Sequence, residues 1–168
     1  KVNEGYCDKI TDNLDEALRW VQSAKKTNTP LSIGLVGNAA VIEPELVRRG
    51  VTPDVVTDQT SAHDLLSYMP TGDVDQLDAL RTKNPAEYRK RALGAIALQT
   101  EAILAMQKRG AVAVDYGNNL RGQAEIAQSL AHSVRICGPG RGDLHVPDAD
   151  LLKVRVGRVA VAAIAAEV

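Results

Sequence analysis

The run Val56-Thr57-Asp58-Gln59-Thr60-Ser61-Ala62-His63-Asp64 sets the chemistry to look for in this chain. Every residue from Thr57 to Ser61 is polar, His63 and Asp64 follow, and a short apolar strand leads in. A structural loop needs one or two turn formers. This one strings together hydroxyls, an amide, carboxylates and an imidazole, enough to wrap a ligand rich in hydroxyl, amide or phosphate groups. Two further turns, Gly37-Asn38-Ala39-Ala40 and Asp115-Tyr116-Gly117-Asn118-Asn119, take the same place after strands of their own. Open α/β sheets bind ligands beyond the carboxyl ends of parallel strands. If these strands are parallel and near neighbours, Asn38, Gln59, Thr60, Ser61, His63 and Tyr116 share one rim.

Each feature also has a plainer account. Gly37-Asn38 serves equally as a strand-to-helix turn with Asn38 as the helix cap. His63 and Asp64 could be a base and its orienting carboxylate, but adjacent side chains do not readily bond in that way, and a solvated loop histidine is the alternative. The turn at Asp115–Asn119 could be a simple one with Gly117 at positive φ. Gly138-Pro139-Gly140-Arg141-Gly142 could cradle a phosphate through backbone N–H groups. It matches neither G-x-G-x-x-G nor a P-loop, so a surface loop is the simpler account. Ser129, His132 and Ser133 form no nucleophile elbow. Cys137 at a strand end could be a nucleophile or a small buried apolar residue.

The elements that must position these residues follow from pattern and caps. Asp12 is expected to cap a helix over about 13–25, with Leu14, Leu18 and Val21 on one face. Leu31 to Val36 is expected as a buried strand. A helical segment then stops at Gly50, and Pro44 implies that its regular part starts there. A short strand runs from Asp54 to Thr57. Asn84-Pro85-Ala86-Glu87 is a strong helix start, with Asn at the cap, Pro first and Glu third. That helix is expected to reach Arg109, end at Gly110, and bury Tyr88, Ala92, Ala95, Ala102 and Met106. Ala111 to Val114 is a further strand, Leu120 to about Leu130 a helix, and Ser133 to Cys137 a fourth strand. Strands alternating with helices imply an α/β domain with a mainly parallel sheet covered on both faces.

Composition excludes other classes. The 168 residues suffice for one domain, and residues 1–168 are expected to form a single one. There is no Phe, one Trp and four Tyr, so few platforms exist for stacking bases, and a net charge of −1 gives a nucleic acid no electrostatic footing. The two cysteines form no CxxC pair and no metal-ligand spacing. The apolar tail Val159–Val168 is too short to cross a bilayer, so a cytoplasmic protein is the expectation.

Several segments resemble urocanase (urocanate hydratase): Glu4-Gly5-Tyr6-Cys7-Asp8, the stretch Leu31 to Ala40, Pro44 to Asp54, Val55 to Asp64 with its Thr-Asp-Gln-Thr-Ser-Ala-His-Asp string, and Asp115 to Arg121. The resemblance spans about residues 4 to 124. It implies a Rossmann-like three-layer domain that binds NAD⁺ tightly, as an electrophile and not as a hydride carrier. The implied activity is a hydro-lyase step of histidine degradation, in which water adds to urocanate to give imidazolonepropionate. The resemblance places NAD contacts at Asn38, Ala39, Gln59, Thr60, Ser61, Ala62, His63, Tyr68, Met69 and Tyr116, and implies a homodimer. It also implies that this chain is mainly the NAD-binding domain, with the Gly-rich loop expected ahead of Lys1 and the substrate core elsewhere. The alternative is a non-catalytic nucleotide-binding or assembly domain derived from the same family.

Two departures stand out. After Asp64 the family has Pro-Leu-Asn-Gly-Tyr, whereas here Leu65-Leu66-Ser67-Tyr68 is one residue shorter. Arg135-Ile136-Cys137 is similar to a family segment with a proposed active-site cysteine, but its spacing is far too short, and no catalytic residue is assigned.

Overall fold

The computed structural model describes residues 7–115, 117–131 and 161–162. In chain order the elements are β1 (Lys9–Thr11), α1 (Leu14–Thr27), β2 (Ile33–Leu35), α2 (Ala39–Arg48), β3 (Val55–Asp58), α3 (Val74–Lys83), α4 (Pro85–Lys108), β4 (Val112–Asp115), α5 (Leu120–Ala131) and β5 (Val161–Ala162). Every strand pairing among the described residues is parallel, as expected of an α/β domain. The described residues fall into two compact units, one holding 7–36 with 161–162 and the other beginning at Gly37 and running to 131.

In the first unit the strand order is β1-β2-β5. Asn13, not Asp12, caps α1. Its side-chain oxygen accepts from the Glu16 N–H at 3.0 Å, while the Glu16 carboxylate accepts from the Thr11 hydroxyl at 2.6 Å. The Thr11 oxygen in turn accepts from the Asn13 N–H, and this closed arrangement shifts the helix start by one residue. Leu14, Leu18 and Val21 are half-buried, and the buried positions of α1 are Ala17 and Ala24. Asn28 ends the helix in the left-handed region, at φ 51°.

The second unit is built around α4, which packs against α2, α3, α5 and β4. Its start follows the sequence pattern. Asn84 accepts from the Glu87 N–H at 3.2 Å, Pro85 fills the first helical position, and Gly110 follows the end at φ 103°. Tyr88, Ala92, Ala95, Ala102 and Met106 are all buried, the inner stripe read from their spacing. Two differences have clear causes. The regular part of α2 starts at Ala39 and not at Pro44, because Asn38 caps it through the Ala40 N–H at 2.9 Å and its carbonyl accepts from Val41 and Ile42. Pro44 then removes only one ladder bond from an otherwise sound helix. Helix α3 was not legible in sequence. Asp73 caps it, but Leu77 is its only buried residue, so it carries almost no apolar period.

Strands β3 and β4 pair in register from Val55 opposite Val112 to Asp58 opposite Asp115. Their carboxyl ends therefore lie side by side, and the turns that follow them leave from one edge. No helix of the described residues is long and apolar enough to cross a membrane. The expected strand at Ser133–Cys137 and the glycine loop at Gly138–Gly142 lie outside the described residues.

Candidate functional site

Asp58, the last residue of β3, organises the rim. The strand alternates, so Asp58 turns inward with Val56, and it is only 4% exposed. A buried carboxylate is costly unless its lone pairs are filled. Here they are. Oδ1 accepts from the Thr60 N–H at 3.2 Å and from Gln99 Nε2 at 2.8 Å, and Oδ2 accepts from the Thr60 hydroxyl at 2.9 Å and from Asn118 Nδ2. Asn118 also donates to the Thr60 carbonyl at 2.8 Å. The turn after β4 is thereby fastened to the turn after β3.

The loop from Gln59 to Pro70 is tied down along its length. Asp64 closes a tight turn, accepting from the Leu66 N–H at 3.0 Å and the Ser67 hydroxyl at 2.8 Å. Those two bonds, the Leu66 one foremost, hold its carboxyl below the usual range. Tyr68 is buried at 3% exposure, donates its hydroxyl to Gln99 Oε1 at 2.9 Å, and accepts at its carbonyl from the Tyr88 hydroxyl at 3.2 Å. Burial, with the nearby Asp58 and Glu43, raises the Tyr68 phenol well above its ordinary value, so it remains a donor. Asn38 then reaches across from the start of α2. Its Nδ2 donates to the carbonyls of Met69 at 2.9 Å and Pro70 at 3.1 Å while its Oδ1 caps the helix. Only an amide can do both.

Within this unit, therefore, the turn at Asn38, the loop at 59–70 and the turn at Asn118 form one connected surface. Gln59 and His63 are exposed on it, and Thr60, Ser61 and Met69 are half-buried. Ala39 and Ala62 are buried, the latter completely, and like Tyr68 they shape the loop from within. Tyr116 lies outside the described residues. His63 is a solvent-facing loop residue, and the Asp64 carboxylate is engaged with its own turn, as the plainer account of that pair holds.

Asn38→Ala should lower stability by about 2 kcal/mol, since it removes a cap and leaves two loop carbonyls without their donor. A urea unfolding curve checks this. A loss below about 0.5 kcal/mol, the level of an ordinary surface change, would show that the tether carries no weight.

Sequence reading did not single out the residues underneath. Gln99 stands on the inner stripe of α4, between Ala95 and Ala102, and is fully buried. Glu43 is the α2 counterpart, one turn after Ala39 and 6% exposed. A polar residue at a core position of an apolar stripe was the available signal. Glu43 Oε1 accepts from Gln99 Nε2 at 3.4 Å, and Oε2 is buried with no hydrogen-bond partner among the described residues. Burial above all, offset in part by the Gln99 bond and reinforced by Asp58, pushes its carboxyl up to about 8.

A family profile described as the Urocanase Rossmann-like domain matches residues 1–136. The matched span takes in every element from β1 to α5 and all the rim residues named above.

Proposed function

Because the chain belongs to the urocanase family and its fold is Rossmann-like, we propose that the connected rim holds NAD⁺ and that the chain serves as the dinucleotide-binding part of a urocanate hydratase. One observation carries this reading: Asn38, the 59–70 loop and Asn118, distant in sequence, are hydrogen-bonded into a single surface beyond the carboxyl end of β3.

The donor set suits a dinucleotide. The Gln59 amide, the Ser61 hydroxyl and the His63 imidazole are polar groups suited to ribose hydroxyls and a carboxamide. The one carboxylate at the centre, Asp58, is buried and bonded to four donors, so it presents no open negative charge to a pyrophosphate. When bound, NAD⁺ supplies an electrophilic nicotinamide ring for the imidazole of urocanate, to which water is then added. This chain's own residues bind and orient. Asp58, Gln99 and Asn118 fix the loop backbone before the ligand arrives, which reduces the ordering cost of binding and keeps the surrounding dipoles aligned.

Titration calorimetry of the full chain with NAD⁺ tests the proposal. Saturable binding at one site is the expected outcome, and no heat at millimolar NAD⁺ would remove it. Added urocanate separates the two parts. Loss of its absorbance supports the hydratase assignment, and binding without that loss reduces the chain to a nucleotide-holding domain.

A further inference from the structure

We propose that Gln99 is a positioning residue for the dinucleotide loop, clasping its two ends with one side chain. The proposal rests on the assignment of that loop to NAD⁺. Its structural half, the clasp itself, can be tested without any ligand.

Gln99 has no packing reason to be an amide. It sits on the buried stripe of α4 among Tyr88, Ala92, Ala95, Ala102 and Met106, where a methionine or leucine would fill the same volume. A buried primary amide is costly unless both of its ends are bonded. Gln99 meets that condition through the loop. Nε2 donates to Asp58 where the loop begins, and Oε1 accepts from the Tyr68 hydroxyl where it ends. A weaker approach to Glu43 Oε1 at 3.4 Å uses the second amide hydrogen. The segment Gln59–Ser67 is thus a closed loop whose ends are both referred to one point on a rigid helix.

Closing the loop in advance removes an entropic cost that the ligand would otherwise meet. The amide must present its donor side to Asp58 and its acceptor side to Tyr68, and the fixed width of that planar group sets the distance between them. Gln99 itself is fully buried, so it acts on the ligand only through Asp58 and Tyr68.

The test compares the wild-type chain with Gln99→Met and Gln99→Glu. Amide hydrogen exchange is followed over residues 59–68 and over α5, and NAD⁺ affinity is measured well below the unfolding temperature. Gln99→Met should speed exchange in 59–68 by about tenfold or more, leave α5 unchanged, and weaken NAD⁺ by about tenfold. Gln99→Glu should behave like wild type at low pH, where a protonated carboxyl can donate to Asp58 and accept from Tyr68. At high pH a charged carboxylate faces Asp58 and Glu43, and affinity should fall as in Gln99→Met. A general loss of stability would instead accelerate exchange in α5 as well and show no such recovery. If Gln99→Met does not fold, the pH profile of Gln99→Glu carries the test. Unchanged exchange in 59–68 would overturn the clasp. Faster exchange with undiminished affinity would overturn its role in binding. Absence of NAD⁺ binding by the wild-type chain would remove the functional assignment and leave the exchange result to decide the clasp.

Discussion

Asp58→Ala should cost about 4 kcal/mol of unfolding free energy, the largest single-residue effect expected in this chain. The carboxylate takes hydrogen bonds from the Thr60 N–H and hydroxyl, from Gln99 and from Asn118. Bonds to a charged group are each worth about 1.5–3 kcal/mol net. They do not sum here, because the loop can relax and water can reach Thr60 and Asn118, which are half-exposed. Gln99 has no such escape. Its amide is completely buried and loses its shortest bond. Asp58→Asn should cost roughly half as much, because one acceptor survives while the new NH₂ group faces donors. Both variants should also lose NAD⁺ binding, since the turn after β3 is no longer fastened to the turn after β4. Urea unfolding gives the first quantity. A loss below about 1 kcal/mol for Asp58→Ala would show that the hub is dispensable.

Glu43→Gln should change how stability depends on pH. The wild-type carboxyl is neutral in the fold up to about pH 8, but in the unfolded chain it ionises near its ordinary value of 4.5. Between those values the folded state binds more protons than the unfolded state, so stability falls as pH rises. The contribution is whole below about 4.5, declines through the interval, and is gone above about 8. A displacement of that size corresponds to something on the order of 4 kcal/mol across the window. Glutamine stays neutral throughout. The variant should therefore be somewhat less stable than the wild type near pH 5, where its own unpaired amide is a cost without a compensating gain, and more stable by about 2 kcal/mol or more at pH 9. Thermal or urea unfolding at several pH values measures the difference between the two proteins, which cancels the titration of every other group. Parallel curves through the window would show that Glu43 reaches water in the folded state.

These two residues also mark where sequence reading ran out. The strong local signals translated directly. Asn84, Pro85 and Glu87 started α4, Gly110 ended it, and a stripe of alanines with Tyr88 and Met106 formed its buried face. The parallel pairing of the strands was inferable from the alternation of strands and helices, but that β3 and β4 are neighbours, which brings Asn118 against Thr60, was only a condition of the shared rim and was not itself legible. Burial of single polar residues was not inferable. An aspartate ending a strand suggests an exposed turn, yet Asp58 turns inward because it shares a face with Val56. Gln99 and Glu43 occupy core positions of their helices, visible only when every member of a stripe is questioned. Pro44 misled for the opposite reason. A strong cap at Asn38 outweighed one missing bond, and α2 begins five residues earlier than its proline suggested. Helix α3, with one buried side chain, is held by its cap and its packing on α4, and its period is too faint to detect.

That three sequence-distant turns act as a single ligand surface is tested most directly by amide chemical-shift mapping as NAD⁺ is added to the isotopically labelled chain. The predicted result is a concerted, saturable set of shifts at residues 38–40, 59–63 and 117–120, sharing one dissociation constant, with α1 unmoved. Shifts confined to one of these turns, or scattered over α1 and the outer face of α4 with no common saturation, would contradict it.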